Sequence, residues 1–300
     1  MLNFLDNLAT PSINPDRRKD LDKPITLNEV ISSISAMQSG KAPGPDSYPV
    51  EFYKRFSSKL APLLLEMFNH SLDQGSLPQT LTEANITLLL KPGKNAVDRG
   101  SYRPISLLNG DVKILAKLLA IRLDNVMMDI ILPDQTGFIR GRHSFSNIRR
   151  LLSVVHSPAS LEIPEVVVSL DAEKAFDRVE WPYLFAVLGK FGFGPKLISW
   201  IRLLYASPKA SVITNKLRSK SFSLSRGTQQ SCPLSPLLFA LVIEPLSIMP
   251  NTSQRFKGIY RKQLEHRVSL YADDLLLYIS DPVSSAPDIV NMLLRFGRFS

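Results

Sequence analysis

Three hundred residues suffice for one large or two modest domains with a true core, and a 44% hydrophobic content fits a soluble globular chain. Thirty-six Lys and Arg against 27 Asp and Glu leave a formal charge of +9, which points to an anionic partner, nucleic acid first among the candidates. The single cysteine, Cys232, excludes an internal disulfide and fits a reducing compartment. Met1 to Thr10 is too short and polar for a signal peptide, and no apolar run reaches membrane-spanning length. An intracellular protein of the nucleus or cytoplasm, neither secreted nor membrane-bound, is expected.

Residues 1–25 carry Pro11, Pro15, Pro24 and the charged run Asp16-Arg17-Arg18-Lys19-Asp20, the composition of a solvated tail or linker. Thr26-Leu27-Asn28-Glu29 has the spacing of a capping box, and Val30, Ile31, Ile34 and Met37 form an apolar stripe that Gly40 ends. After the loop Lys41 to Asp46, Val50 to Leu72 repeats an amphipathic helical pattern with Pro62 as its kink or break, so 26–80 reads as a helical N-terminal extension. Ala84 to Leu90 reads as a strand closed by the turn Lys91-Pro92-Gly93-Lys94.

Residues 91–150 hold eleven Lys or Arg against five Asp or Glu, so +6 of the chain's +9 is concentrated there. Val112 to Ile131 is a long amphipathic helix stopped by Pro133. In Gln135-Thr136-Gly137-Phe138-Ile139-Arg140-Gly141-Arg142, two glycines allow close backbone approach and two arginines can meet phosphates. Binding of that kind is independent of base sequence and falls steeply with salt. Trp181 to Phe191, Pro195 to Tyr205 and Pro233 to Ser247 read as helices, and Ala210 to Thr214 as a further strand.

The chemistry concentrates at two acidic stretches. Ser269-Leu270-Tyr271-Ala272-Asp273-Asp274 runs into Leu275 to Ile279, so the two acids sit in a tight hairpin turn between short apolar strands. Asp is also a common turn former, so this motif alone leaves a structural role open. Val166 to Leu170 reads as a buried strand running straight into Asp171. An acid at the end of one strand and two at a neighbouring turn can converge, and converging carboxylates repel unless cations neutralise them. Two hard Mg²⁺ ions with substrate phosphates are the natural solution, which makes nucleotidyl transfer the expected chemistry.

At these residues a family resemblance emerges. Asp171 with an aromatic ring five positions on, Arg226-Gly227-Thr228-Gln229-Gln230-Ser231-Cys232-Pro233-Leu234-Ser235-Pro236, and Tyr271-Ala272-Asp273-Asp274 resemble the reverse transcriptases of non-LTR, LINE-type retrotransposons. Gly44-Pro45-Asp46, Glu51-Phe52-Tyr53-Lys54, Ser101-Tyr102-Arg103-Pro104-Ile105-Ser106-Leu107-Leu108 and Gln135-Thr136-Gly137-Phe138 match the same family in the expected order, across about residues 25 to 280.

The resemblance implies an α/β (α+β) right-hand polymerase fold, with fingers over 81–165 and, over 166–300, a palm whose antiparallel sheet is backed by helices. It implies RNA-directed DNA polymerase activity: deoxynucleotides from dNTPs are added to a DNA primer 3′-end on an RNA template by two-metal phosphoryl transfer, with Mg²⁺ or a Mn²⁺ substitute. By the same resemblance Asp171, Asp273 and Asp274 are the catalytic metal ligands and the Ala172 carbonyl is a further metal contact. Lys91 and Arg103 match positions that contact the incoming triphosphate, Phe176 matches a steric gate against a 2′-hydroxyl, and Gln230 would line the nascent base pair. Gln135, Gly137, Arg140 and Arg142 would lie against the template.

The chain also departs from that pattern. Ser231 stands where the family has a glycine after the second glutamine, Gln229 where a basic residue is common, and Ser47 where a glycine follows Pro45-Asp46. If those glycines adopt positive φ or admit a close backbone, a Cβ is costly and activity is in doubt. The chain stops 26 residues after Asp274, with no room for a thumb and no endonuclease before it, so a retrotransposon-derived fragment is expected. The alternative is a catalytically inactive nucleic-acid-binding remnant; an unrelated metal-dependent phosphohydrolase is disfavoured by the ordered upstream motifs. Oligomeric state and template preference are not legible.

Overall fold

The computed structural model describes residues 2–158, 162–229 and 231–298. Two short helices, α1 (Leu2–Asp6) and α2 (Pro15–Leu21), occupy the stretch expected to be a solvated tail. Phe4, Leu5, Ile13, Leu21 and Ile25 are buried there. They are spaced too widely among polar residues for composition to reveal them, yet burying a large apolar side chain stabilises by about 1.5–3 kcal/mol. Helix α3 (Leu27–Ala36) begins at a complete capping box: Glu29 N donates to Thr26 Oγ1 at 3.3 Å and Thr26 N donates to Glu29 Oε2 at 2.9 Å.

The next amphipathic stretch divides into α4 (Val50–Arg55) and α5 (Ser57–Gln74). Its break falls at Phe56 rather than at Pro62, which lies inside α5. Because α5 starts at Ser57, Pro62 sits little more than one turn in, and its missing N–H forfeits one hydrogen bond near the helix start. Strands β1 (Glu83–Leu90) and β2 (Tyr102–Leu107) lead to α6 (Gly110–Ile130) and α7 (Ser144–His156). Strand β3 (Glu165–Asp171) follows, then helices α8 (Ala175–Arg178), α9 (Trp181–Lys190) and α10 (Pro195–Leu204). Strands β4 (Lys209–Thr214), β5 (Leu217–Arg218) and β6 (Phe222–Ser223) precede α11 (Ser235–Thr252). The chain continues through β7 (Ile259–Arg261), β8 (Leu264–His266), β9 (Val268–Tyr271) and β10 (Asp274–Ser280) into α12 (Pro282–Gly297).

The chain separates into two compact units, one of Met1–Asn14, Asp124–Gly192 and Pro236–Ser300, the other of Pro15–Leu123 and Phe193–Ser235. The first contains an antiparallel sheet in the order β3-β10-β9 and the β7-β8 hairpin. Its core gathers Tyr183, Val187 and Leu188 of α9, Leu238, Phe239 and Leu241 of α11, and Leu270, Leu277 and Tyr278 of the sheet. Strand β3 is less buried than its valine run suggests, because it lies at the sheet edge; Val167 packs toward Val154, Ile259 and Tyr278, while Val166 is exposed.

The second unit holds a five-stranded sheet in the order β2-β1-β4-β5, with β6 also paired to β4. Its sheet is mixed rather than antiparallel throughout, since β1 and β4 run parallel. In the same unit Arg122 ties the start of α3 to the segment before it. Its Nε meets Glu29 Oε1 at 2.6 Å, and its other nitrogens donate to the carbonyls of Leu21, Lys23 and Pro24. The architecture is mixed α/β with sheets backed by helices, and no helix among the described residues is long and apolar enough to cross a membrane.

Candidate active site

The candidate site is built on the three-stranded sheet. Pairing of β3 with β10 sets Asp171 directly opposite Asp274, and pairing of β10 with β9 sets Asp274 opposite Tyr271. Ala272 and Asp273 form the two-residue turn between β9 and β10. Leu270, Leu275 and Leu277 alternate into the core and fix the register, since a one-residue slip would turn them outward. Burial, reinforced by repulsion from Asp274 and Asp171, raises the Asp273 carboxyl above the ordinary carboxylate range. Asp273 thus lies within electrostatic reach of Asp171 and Asp274.

Among the described residues, no three His, Cys, Asp or Glu side chains close into a ready-made metal cage. The arrangement nonetheless fits a hard divalent cation of the Mg²⁺ kind, which takes one or two carboxylates and completes its shell with water and substrate phosphate. Ala172 follows β3 and is exposed, while Glu173 pairs with Arg178 at 2.9 Å and stands apart from this group.

The turn is held by a segment that sequence reasoning assigned to the template. Gln135 is fully buried, and its Oε1 accepts from Gly137 N at 2.7 Å and from Ala272 N at 3.1 Å. Its Nε2 donates to Ala272 O at 3.5 Å. Residues 134–136 run beside β9: Leu270 N donates to Asp134 O at 2.8 Å and Thr136 N to Leu270 O at 2.9 Å. A Cβ on Gly137 would lie 2.3 Å from Ala272 N, so glycine is required by that close approach.

Arg142 is likewise turned inward, donating to the carbonyls of Leu132, Gln135 and Ile131. Helix α6 ends at Ile130, and the guanidinium takes up carbonyls of the loop that follows it. Gln135, Gly137 and Arg142 thus face the protein's own backbone, whereas Arg140 is exposed.

Phe176 is half-buried, stacked on Phe239 with centroids 4.1 Å apart and edge-on to Phe138 at 6.0 Å. Phe138, which holds φ 62, and Phe239 were not singled out from sequence; the motif Gln135 to Phe138 carried the signal for the first, and nothing marked the second. Glu244, also missed, is an acid inside the otherwise apolar run of α11; it is fully buried and accepts from Leu132 N at 2.7 Å.

In the second unit Lys91 and Arg103 come to one end of the β1-β2 hairpin. Arg103 lies opposite Leu89, and Lys91, two residues beyond Leu89, continues the ladder through its N–H to Ser101 O at 2.8 Å. Opposed and alternate positions share a face, so both basic side chains belong to one side of the hairpin. Arg103 is exposed, and Lys91 Nζ donates to Gly100 O at 3.2 Å. Gln230 lies outside the described residues. Its neighbour Ser231 holds φ 83 and Ser47 holds φ 65, so both serines that replace expected glycines occupy the left-handed region.

A profile described as reverse transcriptase (RNA-dependent DNA polymerase) matches residues 89–300. The chain belongs to the reverse transcriptase family. Its resemblance to the enzymes of non-LTR, LINE-type retrotransposons is shown with it. A Xenopus laevis protein named transposon TX1 uncharacterized 149 kDa protein is 34% identical over 275 residues, covering 91% of this chain and 21% of that one. The RNA-directed DNA polymerase from mobile element jockey of Drosophila funebris is 30% identical over 256 residues, 84% of this chain and 27% of that one. The Pol polyprotein from type-1 retrotransposable element R2 of Popillia japonica is 26% identical over 256 residues, 85% and 35% of the two chains. This reverse transcriptase chain thus spans between 21% and 35% of the length of these relatives. Reverse transcriptases as a family have the palm and fingers fold of polymerases and depend on divalent metal.

Proposed function

We propose that the chain carries RNA-directed DNA polymerase activity, adding deoxynucleotides from dNTPs to a DNA primer 3′-end on an RNA template. The observation that carries this reading is the register that sets Asp171 opposite Asp274, with Asp273 in the adjoining turn. Those three carboxylates, with the Ala172 carbonyl, would hold two Mg²⁺, for which Mn²⁺ can substitute. When bound, the ions activate the primer 3′-hydroxyl and stabilise the departing pyrophosphate.

The remaining work falls to side chains. Arg103 takes the triphosphate through its planar fork and Lys91 as a point charge. Phe176, braced by Phe239, closes the space beneath the sugar and excludes a 2′-hydroxyl. Gln230 lines the base pair and exposed Arg140 meets backbone phosphate. In this reading 81–165 serve as fingers and 166–300 as palm, behind the helical extension 26–80.

A second reading, a catalytically inactive nucleic-acid-binding remnant, is favoured by Ser231 and Ser47 in left-handed backbone. Primer extension on an RNA template with dNTPs and Mg²⁺ separates the two, run beside Asp273→Asn/Asp274→Asn and Ser231→Gly. Extension lost in the double variant supports the polymerase. Recovery only in Ser231→Gly makes Ser231 the lesion, and silence of both parent and Ser231→Gly with persistent salt-sensitive RNA binding establishes the remnant.

A further inference from the structure

Ala272 links the two halves of the acidic turn and adopts φ 56, a left-handed conformation that strains an L-residue. Its orientation decides where the next residue, Asp273, projects. One fully buried side chain, Gln135, engages both polar groups of the Ala272 backbone, accepting from its N–H and donating to its carbonyl. The same Oε1 accepts from Gly137 N, so both lone pairs of that oxygen are used. An amide in this position behaves as an added rung of the ladder beside β9. In a buried setting such hydrogen bonds are rigid, because losing one leaves an unpaired polar group.

The segment bearing Gln135 is itself fixed. Asp134 pairs with Arg150 of α7 and accepts from Asn251 of α11, and Arg142 holds the Gln135 carbonyl at 2.8 Å. Asn147 Nδ2 adds a bond to Leu270 O at 2.9 Å. The turn is thus braced by a rigid frame on the side away from β3.

We propose that Gln135 is a positioning residue for the acidic turn: it locks Ala272 in its left-handed conformation and so fixes the direction of the Asp273 carboxylate. Metal binding and the chemical step then depend on Gln135, while grip on the template does not. The inference rests on the polymerase reading for its kinetic consequence, and on metal binding alone for its structural one. Glutamate cannot replace the amide, since its second oxygen would face the Ala272 carbonyl and bring a fourth negative charge to the acids. Asparagine falls one methylene short.

The test uses Gln135→Ala and Gln135→Glu against the parent chain. Three quantities are read: Mn²⁺ affinity by electron paramagnetic resonance without nucleic acid, template–primer affinity by fluorescence anisotropy, and the rate of single-nucleotide incorporation at saturating substrates. Disturbing a group that orients metal ligands is expected to weaken Mn²⁺ binding and slow incorporation by about 10- to 100-fold each. Template–primer affinity should stay within about twofold, because the contacts that hold phosphate are elsewhere, and tenfold more Mg²⁺ should recover part of the rate.

Weakened template binding with unchanged Mn²⁺ affinity would make Gln135 a nucleic-acid contact and overturn the proposal. Unchanged values throughout would overturn it as well. Should the alanine variant fail to show the parent's thermal transition, Gly137→Ala displaces the same turn through its contact with Ala272 N and must give the same pattern. A parent that binds Mn²⁺ but extends no primer defeats the polymerase reading alone, and the Mn²⁺ contrast still decides the role of Gln135. A parent that binds no Mn²⁺ defeats both.

Discussion

Replacing Glu244 by glutamine tests the one acid buried in the apolar run of α11. Glu244 is fully buried on α11, its Oε1 accepts from Leu132 N at 2.7 Å, and its Oε2 has no hydrogen-bond partner among the described residues. Burial pushes its carboxyl from 4.5 up to about 8, with Asp134 adding to the rise and the Leu132 amide and Arg142 opposing it. The unfolded chain releases this proton near its ordinary value, whereas the folded chain keeps it until about pH 8. Between those limits the folded state binds more protons, so stability falls as pH rises. At about 1.4 kcal/mol per pH unit, moving from about pH 5.5 to about pH 8 removes on the order of 3 kcal/mol. Glutamine retains the acceptor for Leu132 N and does not titrate. Urea denaturation at both pH values should find Glu244→Gln close to the parent at the acid end and about 3 kcal/mol more stable at the alkaline end. An equal difference at the two pH values would refute the assignment of a neutral buried acid.

Other outcomes follow from named contacts. Ser231→Gly and Ser47→Gly remove a Cβ from left-handed backbone and should each stabilise by about 0.5–1 kcal/mol in urea melts, net of the greater freedom of unfolded glycine. Arg122→Ala takes one donor group from Glu29 and from three carbonyls, so it should cost about 2–4 kcal/mol and open the Asp16 to Asp20 run to trypsin, read by thermal melts and limited proteolysis. Phe176→Val should lower the preference for dNTP over rNTP by about tenfold or more in competition assays, with little change in template affinity.

Much of the fold was written locally. The Thr26 to Glu29 box, β1, β4 and the β9-β10 hairpin carry their own periodicity and turn chemistry, and they form where expected. The acids were legible because Asp171 ends a strand, Asp274 begins one and Asp273 sits in the turn beside it. What the sequence did not show was the set of partners within the chain. The resemblance placed Gln135 and Arg142 against the template, and the sequence hides the carbonyls of Ile131, Leu132, Gln135 and Ala272 to which they donate. The buried faces of α1 and α2 were hidden in the same way, since Phe4 and Leu21 gain meaning only from distant residues. Ser231 and Ser47 could be flagged from sequence, but only backbone angles show that both sit where glycine is favoured.

The most direct test of the account is single-turnover incorporation of one dNTP on an RNA template–primer by the parent and by Asp171→Asn. Asp171 faces Asp274 across the β3-β10 pair, so removing its charge should lower the rate by about a thousandfold or more while leaving template–primer affinity unchanged. A rate within a few-fold of the parent's would contradict the claim that these strands carry the catalytic carboxylates.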